Sequence, residues 1–340
     1  MNDPLAILNT GLVTSVGLSA PASCAAMRAK VTNPSETRFI DSGGEWITAH
    51  QVSLEQPWRG LAKLARMATM AAEEALVDVP KREWGGIPML LCVAERERPG
   101  RLEGLDDQLF EEVQQALGMR FATESIIVPH GRVAVAVALS RARVLVQQHG
   151  VSHVLIVAAD SLLNWPTLSH YERQDRLLTG RNSNGFMPGE GAGALLVGKS
   201  TGGSHLACSG IGFGVEKAHI DSEEPLRAEG LAQAIKAALA EAGCEMHEMD
   251  FRITDVSGEQ YYFKEAALAL SRTLRRRKDE FDLWHPAEST GEAGAMAGLS
   301  VLALADAACR KGYTKGPAIL THMANDRGQR VAMVLQFRTT

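Results

Sequence analysis

The stretch "PHGRVAVAVALSRARVLVQQHG" at residues 129–150 decides the fold. It follows the short apolar run "IIV" at 126–128 and precedes the apolar run "HVLIVAA" at 153–159. Valine and alanine fill positions 133–138, so the predicted helix is apolar on most faces, and such helices are normally buried between layers. The apolar run after it predicts a strand of a parallel sheet covered on both sides. We therefore expect an α/β protein with a helix at its centre.

A second stretch, "TGEAGAMAGLSVLALADAACRKG" at residues 290–312, repeats this design. Each stretch consists of a turn, a helix of small apolar residues and a closing glycine after about five turns. Further upstream, "HLACSGIGFGVE" at 205–216 echoes "LAILNTGLVTSVG" at 5–17, because each is an apolar strand that runs into glycines. The pattern predicts an internal duplication whose halves, 1–200 and 201–340, meet near the linker-like "GKSTGGSH".

Two similar α/β halves that share a central helical layer predict a duplicated five-layer α-β-α-β-α sandwich. Active residues in such a design come from the N-termini of the two buried helices. Free backbone N–H groups and the helix dipole favour developing negative charge there, and they lower the pKa of a thiol.

Composition and charge exclude several classes of partner and location. The formal net charge is -5, so the sequence predicts neither a nucleic-acid partner nor an anionic membrane partner. The one basic run, "RTLRRRKDEF" at 272–281, is interpreted as a solvated helix end, with a phosphate-binding segment as the alternative. The sequence starts without the pattern of a signal peptide and contains no apolar run of about 18 residues. Its cysteines are scattered singly, as in a reducing compartment: Cys24, Cys92, Cys208, Cys244 and Cys309. We expect a cytoplasmic location.

The segment "RNSNGFMPGEGAGALLV" at 181–197 resembles the β-ketoacyl-ACP synthase family of the thiolase-like superfamily. Shorter matches are "NTGLVTSVG" at 9–17, "HVLIVAADS" at 153–161 and "STGEAGAMAGLSVLALA" at 289–305. The residues that match the family motif are Arg181, Gly185, Phe186, Gly189, Glu190, Gly191, Ala192 and Gly193. We interpret Glu190 as a fold residue, because its glycine neighbours imply close backbone approach and a buried acid there must be hydrogen-bonded.

The resemblance implies a catalytic set of one cysteine, two histidines and one lysine, and this sequence departs from it at each position. The cysteine position falls on or near Val133, and no cysteine occurs between Cys92 and Cys208. The first histidine falls in the region of Asp255, the lysine on Ala287 and the second histidine on Glu292. The family's glycine-rich C-terminal loop with its gating aromatic is replaced by "THMANDRGQ" at 321–329.

Glu292 is interpreted as an acid at a helix N-terminus, stabilised by the dipole by roughly 0.3–1 kcal/mol. The alternative is a rebuilt site in which the candidate pocket residues His130, Glu259 and His285 join Asp255 and Glu292, since a histidine–carboxylate pair can act as a general acid–base. The spacing indicates no metal site, and we expect no cofactor.

The leading hypothesis is a catalytically degenerate synthase-like protein, a pseudoenzyme that keeps the scaffold and serves as an accessory protein, chaperone or scaffold for a protein partner. The resemblance implies a homodimer and suggests a type VI secretion effector or adaptor as that partner. The alternatives are an acyl-handling subunit that works with an active synthase or an acyl carrier protein, and a divergent condensing enzyme or acyltransferase.

Overall fold

The computed structural model describes residues 4–200 and 202–339. In chain order the strands are β1 (Leu5–Val13), β2 (Ser35–Ile40), β3 (Trp46–Ala49), β4 (Met89–Cys92), β5 (Ile126–Val128), β6 (His153–Ser161), β7 (Glu190–Gly198), β8 (His205–Val215), β9 (Phe251–Thr254), β10 (Leu283–Trp284), β11 (Ala318–Ala324) and β12 (Gln329–Arg338). The helices are α1 (Ala20–Arg28), α2 (Gly60–Ala75), α3 (Gln108–Leu117), α4 (Ala134–Gln148), α5 (Trp165–Arg173), α6 (Glu229–Ala242), α7 (Gln260–Thr273), α8 (Ala287–Thr290) and α9 (Ala297–Arg310).

The strand order demonstrates the duplication. The N-terminal strands lie in the order β1-β7-β6-β4-β5, and the C-terminal strands repeat it as β8-β12-β11-β9-β10. The directions repeat as well, because β1–β7 and β6–β7 are antiparallel like β8–β12 and β11–β12. The pairs β4–β6 and β4–β5 are parallel like β9–β11 and β9–β10. Both halves therefore have one topology.

The layers follow from the packing of helices on these strands. Helices α4 and α9 bury their side chains in one central hydrophobic core together with residues of strands from both halves. On the outer faces, α2 packs on β1, β6 and β7, and α6 packs on β8 and β12. The halves join where β1 pairs with β8 over Leu5, Ala6 and Ile7. The predicted five-layer α-β-α-β-α sandwich is confirmed.

Equivalent glycines bracket the two central helices. Gly131 and Gly294 precede the helices with φ of 53° and 56°, and Gly150 and Gly312 follow them with φ of 69° and 68°. This left-handed region is open to glycine at little cost, so both repeats keep glycine there. A 3-10 turn forms over 131–133 and over 294–296, so α4 and α9 span 15 and 14 residues, about four turns and not five.

Other local predictions agree with the structure. Helix α1 is capped by Ser19, whose side chain accepts a hydrogen bond from the Ala22 N–H, and a proline lies in its first turn. The arginines at 275–277 are exposed beyond the end of α7, as expected of a solvated helix end. The boundary at residue 200 falls between β7 and β8, and the division into two domains stays a prediction. Within the described ranges, none of the helices combines the length and apolar character needed to cross a membrane.

Candidate functional site

The N-termini of α4 and α9 meet at a group of charged side chains, which we call the central charge cluster. Its members are three arginines and six acids: Arg98, Arg132, Arg176, Glu95, Asp160, Asp255, Glu259, Glu292 and Asp326. Seven of the nine are buried, and Glu95 and Asp326 are half-buried. Charges removed from water are tolerated only when they are paired and hydrogen-bonded, so the contacts within the cluster decide its role.

Glu292 lies before the 3-10 turn at 294–296 that leads into α9, and its carboxylate binds the backbone of that turn. Its Oε1 accepts a hydrogen bond from the Gly294 N–H at 3.0 Å. Its Oε2 accepts from Arg132 Nη1 at 3.1 Å and from the Ser257 hydroxyl at 2.9 Å. The next N–H of this turn, on Ala295, donates to Asp160 Oδ2 at 2.7 Å. The backbone donors that could stabilise an anion at this helix end are therefore bound to carboxylates of the protein itself.

Asp326 links the two halves of the cluster from the turn between β11 and β12. Its Oδ1 accepts from Arg132 Nη2 at 2.6 Å, and its Oδ2 accepts from Arg176 Nη1 at 2.9 Å. The hydroxyl groups of Tyr262 and Tyr171 also donate to its two oxygens, at 2.6 and 3.1 Å. One carboxylate thus accepts hydrogen bonds from two arginines and two tyrosines, which fixes the β11–β12 turn against the helix ends.

The Arg176 guanidinium group is hydrogen-bonded along its edge and packs against two aromatic rings. Its Nε and Nη2 donate to the two carboxylate oxygens of Glu259 at 2.7 and 2.9 Å, a bidentate pair. Its guanidinium carbon lies 4.9 Å from the ring centroid of Tyr171 and 5.8 Å from that of Phe186. This geometry uses the flat guanidinium group as a packing surface as well as a charge.

Burial raises the pKa values of three acids of the cluster, and Arg132 and Arg176 lower them. Burial raises the pKa of Asp255 to about 7, against the opposing pull of Arg132. Burial also raises the pKa of Glu259, although Arg176 counteracts it. Burial alone would raise the pKa of Asp326, but Arg132 and Arg176 hold it well below its usual range. Asp326 is therefore ionised at neutral pH, whereas the pKa of Asp255 lies near neutrality.

The cluster leaves little space for a substrate. The cavity among Arg98, Arg132, Arg176, Glu292 and Asp326 measures about 20 Å³, which is room for about one water molecule. Val133 is 3% exposed and packs into the central core. The Ser257 hydroxyl donates to Glu292, and guanidinium groups stay protonated at accessible pH. This arrangement can hold charge and fix the backbone at the two helix ends.

Comparison with solved structures identifies the architecture. The chain matches a structure described as the ishigamide ketosynthase/chain length factor with a TM-score of 0.81, at 17% identity and covering 99% of both chains. It matches a ketosynthase complexed with its type II PKS acyl-carrier protein with a TM-score of 0.81, at 14% identity and covering 99% of this chain and 100% of the other. The fold is a ketosynthase fold. A β-ketoacyl synthase from Burkholderia phymatum gives 0.75, at 13% identity, with 99% and 100% covered. Neither a protein-family model nor a curated protein matches the sequence.

Within this ketosynthase fold, two of the candidate pocket residues lie outside the cluster. His285 follows β10 near the edge of the sheet, where its Nε2 lies 3.4 Å from Glu288 Oε1. The side chain of His130 is exposed, although its carbonyl accepts from Asn325 Nδ2 at 2.8 Å. The suggested histidine–carboxylate site is therefore corrected: Glu259, Asp255 and Glu292 converge on arginines and not on a histidine. Ala287 begins α8.

The family-like motif at residues 181–197 borders the cluster, because the Phe186 ring centroid lies 5.8 Å from the Arg176 guanidinium carbon. Glu190 is 3% exposed and accepts hydrogen bonds from the Val52 N–H and the Ser161 hydroxyl, each at 3.0 Å, and it pairs with Lys63. The backbone N–H of Gly189 donates to the Glu292 carbonyl at 2.8 Å, so the motif touches the start of the second buried segment. Arg181 is exposed, whereas Gly185 and Phe186 are buried and Gly191 and Gly193 lie in β7.

No sequence pattern predicted Arg132, Arg176 and Asp326 of the cluster, or Tyr262, whose hydroxyl donates to Asp326. One of them carried a usable signal. Arg132 is a charge directly before the apolar run at 133–139, and a buried arginine needs acceptors from elsewhere in the fold. Asp326 gave no such signal, because an acid in an Asn-Asp turn is ordinary on a protein surface.

The raised pKa of Asp255 predicts a pH dependence of stability. Its unfolded value is about 3.9, so between about pH 4 and 7 the folded state binds more protons at this group, and stability falls as the pH rises through that window. Between pH 5 and 8, the unfolding free energy of the Asp255→Asn variant should decrease by roughly 2 kcal/mol less than that of the original protein. Urea unfolding of both proteins at the two pH values measures this. Equal pH dependence in both would contradict the assignment.

Proposed function

We propose that this chain is a non-catalytic ketosynthase-fold subunit that acts by pairing with a second ketosynthase-fold chain. The observation that carries the proposal is the central charge cluster, which occupies the space between the N-termini of the two central helices. A condensing site would need an open pocket with a thiol and proton-transfer groups at that place. Here Arg132 and Arg176 are already hydrogen-bonded to Glu292, Glu259 and Asp326.

The proposed loss of chemistry extends to each position that the family resemblance singles out. Val133 supplies a hydrocarbon side chain in the core, and Ala287 supplies a methyl group. Asp255 and Glu292 are carboxylates near Arg132. The carboxylate of a ligand, such as that of a malonyl unit, would meet like charge there. These contacts support a scaffold role over a relocated active site.

The edge strand β5 is the surface that we propose for pairing. It spans Ile126–Val128 and pairs on one side with β4, and it is the last strand at its end of the ten-stranded sheet. Ile126 is 41% exposed. A short, apolar edge strand with free backbone groups is a template for a strand of another chain. The names of similar structures, which pair a ketosynthase with a chain length factor, make a ketosynthase-fold partner our first choice.

Two other kinds of partner are alternatives to a ketosynthase-fold chain. A second copy of this chain would use the same edge as a homodimer, and an acyl carrier protein is the partner in one of the similar structures. The contacts of the described residues contain nothing that favours a type VI secretion effector or adaptor. Binding of a secretion effector or adaptor is therefore one of the outcomes that the test distinguishes.

Replacing Ile126 with aspartate is expected to abolish assembly. Size-exclusion chromatography with light scattering would measure the molar mass of the chain alone and of the chain mixed with a ketosynthase from the same genome. We expect the mass of a dimer for the original protein and of a monomer for the variant, since a buried aspartate at a strand edge meets a large desolvation penalty. Val77→Asp is the matched control, because Val77 is 70% exposed and lies outside the sheet.

Two results would contradict the proposed function. A monomer under every condition, with and without the ketosynthase, would remove the pairing role. An acyl mass shift on the protein after incubation with acyl-CoA or acylated carrier protein would show covalent chemistry that the cluster does not support. A pull-down that recovers a secretion effector without a ketosynthase would replace the partner and keep the non-catalytic role.

A further inference from the structure

A second cavity lies at the N-terminus of α2 and shares no lining residue with the central charge cluster. It measures about 370 Å³, within the roughly 300–1,000 Å³ of ligand pockets. Its polar lining includes Arg38, Arg59, Lys63 and Glu190, and its aromatic lining includes Phe39 and Trp58. A concave site of this size with a few charged groups and aromatic walls is suited to a small molecule.

The charge balance of this cavity is positive. The Glu190 carboxylate is already committed, because it accepts from the Val52 N–H and the Ser161 hydroxyl and pairs with Lys63. Arg38 and Arg59 have no carboxylate within ion-pair distance among residues 4–200 and 202–339. Two guanidinium groups at one cavity with no acid to balance them favour a ligand that carries negative charge.

The helix end beside the cavity adds to this positive field. The N-cap residue of α2 is Arg59, whose side chain makes no capping hydrogen bond, and the first turn of the helix contains no acid. Gly60, the first residue of the helix, lines the cavity, so the positive end of the helix dipole lies beside it. The helix end strengthens the preference for an anion that the two arginines already create.

The aromatic residues restrict the shape of the ligand. Trp58 is 36% exposed at the cavity, and Phe39 stacks on Trp165 with ring centroids 6.4 Å apart and planes at 25°. The Arg38 guanidinium carbon lies 5.1 Å from the Phe39 ring centroid. Since Trp165 and Arg38 already lie against the Phe39 ring, Trp58 is the side chain on which a flat ring can stack beside a cation, and Phe39 adds apolar contact.

We propose that the α2 cavity binds a small aromatic carboxylate, with its ring against Trp58 and Phe39 and its carboxylate on Arg38 and Arg59. The Lys63–Glu190 pair forms the closed, neutral base of the site. This binding function goes beyond the pairing role and does not depend on it, because the cavity lining contains no residue of β5.

The test uses isothermal titration calorimetry of the full chain with 2-naphthoate as the probe. Three comparison probes separate the features of the ligand: hexanoate has the carboxylate without a ring, 2-naphthalenemethanol has the rings without charge, and inorganic phosphate has charge alone. We expect 2-naphthoate to bind at least about tenfold more tightly than each of them, a difference of about 1.4 kcal/mol.

Variants connect the binding to the named residues. Arg59→Gln and Trp58→Ala are each expected to weaken 2-naphthoate binding by about 3- to 10-fold, the range of an exposed ion pair or stacking contact. Arg82→Gln and Phe213→Ala are the matched controls, because both residues are exposed and lie outside the cavity lining. Circular dichroism would verify that each variant is folded.

Several outcomes would overturn the proposal. These are absence of 2-naphthoate binding at millimolar concentration, equal binding of hexanoate or phosphate, and binding that neither Arg59→Gln nor Trp58→Ala weakens. None of them bears on the pairing role, which light scattering measures separately.

Discussion

Replacing Asp326 with asparagine is expected to lower the free energy of unfolding by about 3–5 kcal/mol. The variant keeps the size of the side chain and removes its charge. Arg132 and Arg176, both buried, would each lose a carboxylate acceptor that lies 2.6–3.1 Å away. Arg132 keeps Glu292 and Arg176 keeps Glu259, so the cost is that of two buried guanidinium groups whose charge is only partly balanced and which water cannot reach.

The size of this effect follows from the ionisation of Asp326 in the folded protein. Its folded pKa lies below the unfolded value of about 3.9, so its contribution to stability is fully present at pH 7. That contribution is lost as the pH falls through about 4 and below. The loss caused by Asp326→Asn should therefore shrink in acid, a trend that a simple packing defect would not produce.

Urea unfolding followed by circular dichroism at pH 7 measures the difference. Asp279→Asn is the matched control, because Asp279 pairs with Arg277 at 3.4 Å while both side chains are 90% exposed. A surface pair of this kind contributes about 0–1 kcal/mol. If Asp326→Asn costs no more than this control, the cluster does not hold the β11–β12 turn in place.

The fold was predictable because its signals are local and repeated. The glycines that bracket α4 and α9, the apolar faces of both helices and the Ser19 cap each act within a few residues of the chain. The duplicated strand order then follows from two copies of one pattern. The helix lengths were overestimated, because the sequence does not distinguish a 3-10 turn from the first turn of an α-helix.

The site was predictable only in part, since its contacts join distant positions. The sequence indicated the two helix N-termini and an acid, Glu292, before the second of them, where its carboxylate binds the neighbouring Gly294 N–H. The pairing of Arg132 with Asp326 spans 194 positions, and that of Arg176 with Glu259 spans 83. No spacing rule relates such residues, so the cluster appears only once both halves are folded together.

Arg330→Met is the second substitution with a large expected effect. Arg330 lies in β12 with its side chain 0% exposed, and its Nε donates to Glu265 Oε1 of α7 at 2.7 Å. Its Nη1 also donates to the Asn325 carbonyl at 2.6 Å, next to Asp326. Methionine fills much of the volume but leaves the Glu265 carboxylate buried without its cation, so we expect a loss of about 3–5 kcal/mol in urea unfolding.

A double variant separates the charge from the packing. In Arg330→Met with Glu265→Leu, both charges are gone and the hydrocarbon contacts between β12 and α7 remain, so most of the lost stability should return. Arg277→Gln, at an exposed ion pair, is the control and should change stability by less than about 1 kcal/mol. Recovery in the double variant would show that Glu265 without its partner causes the loss. A double variant as unstable as Arg330→Met alone would instead indicate that the hydrogen bonds of Arg330 to the backbone at Asn325 hold this part of the sheet, and that the ion pair contributes little.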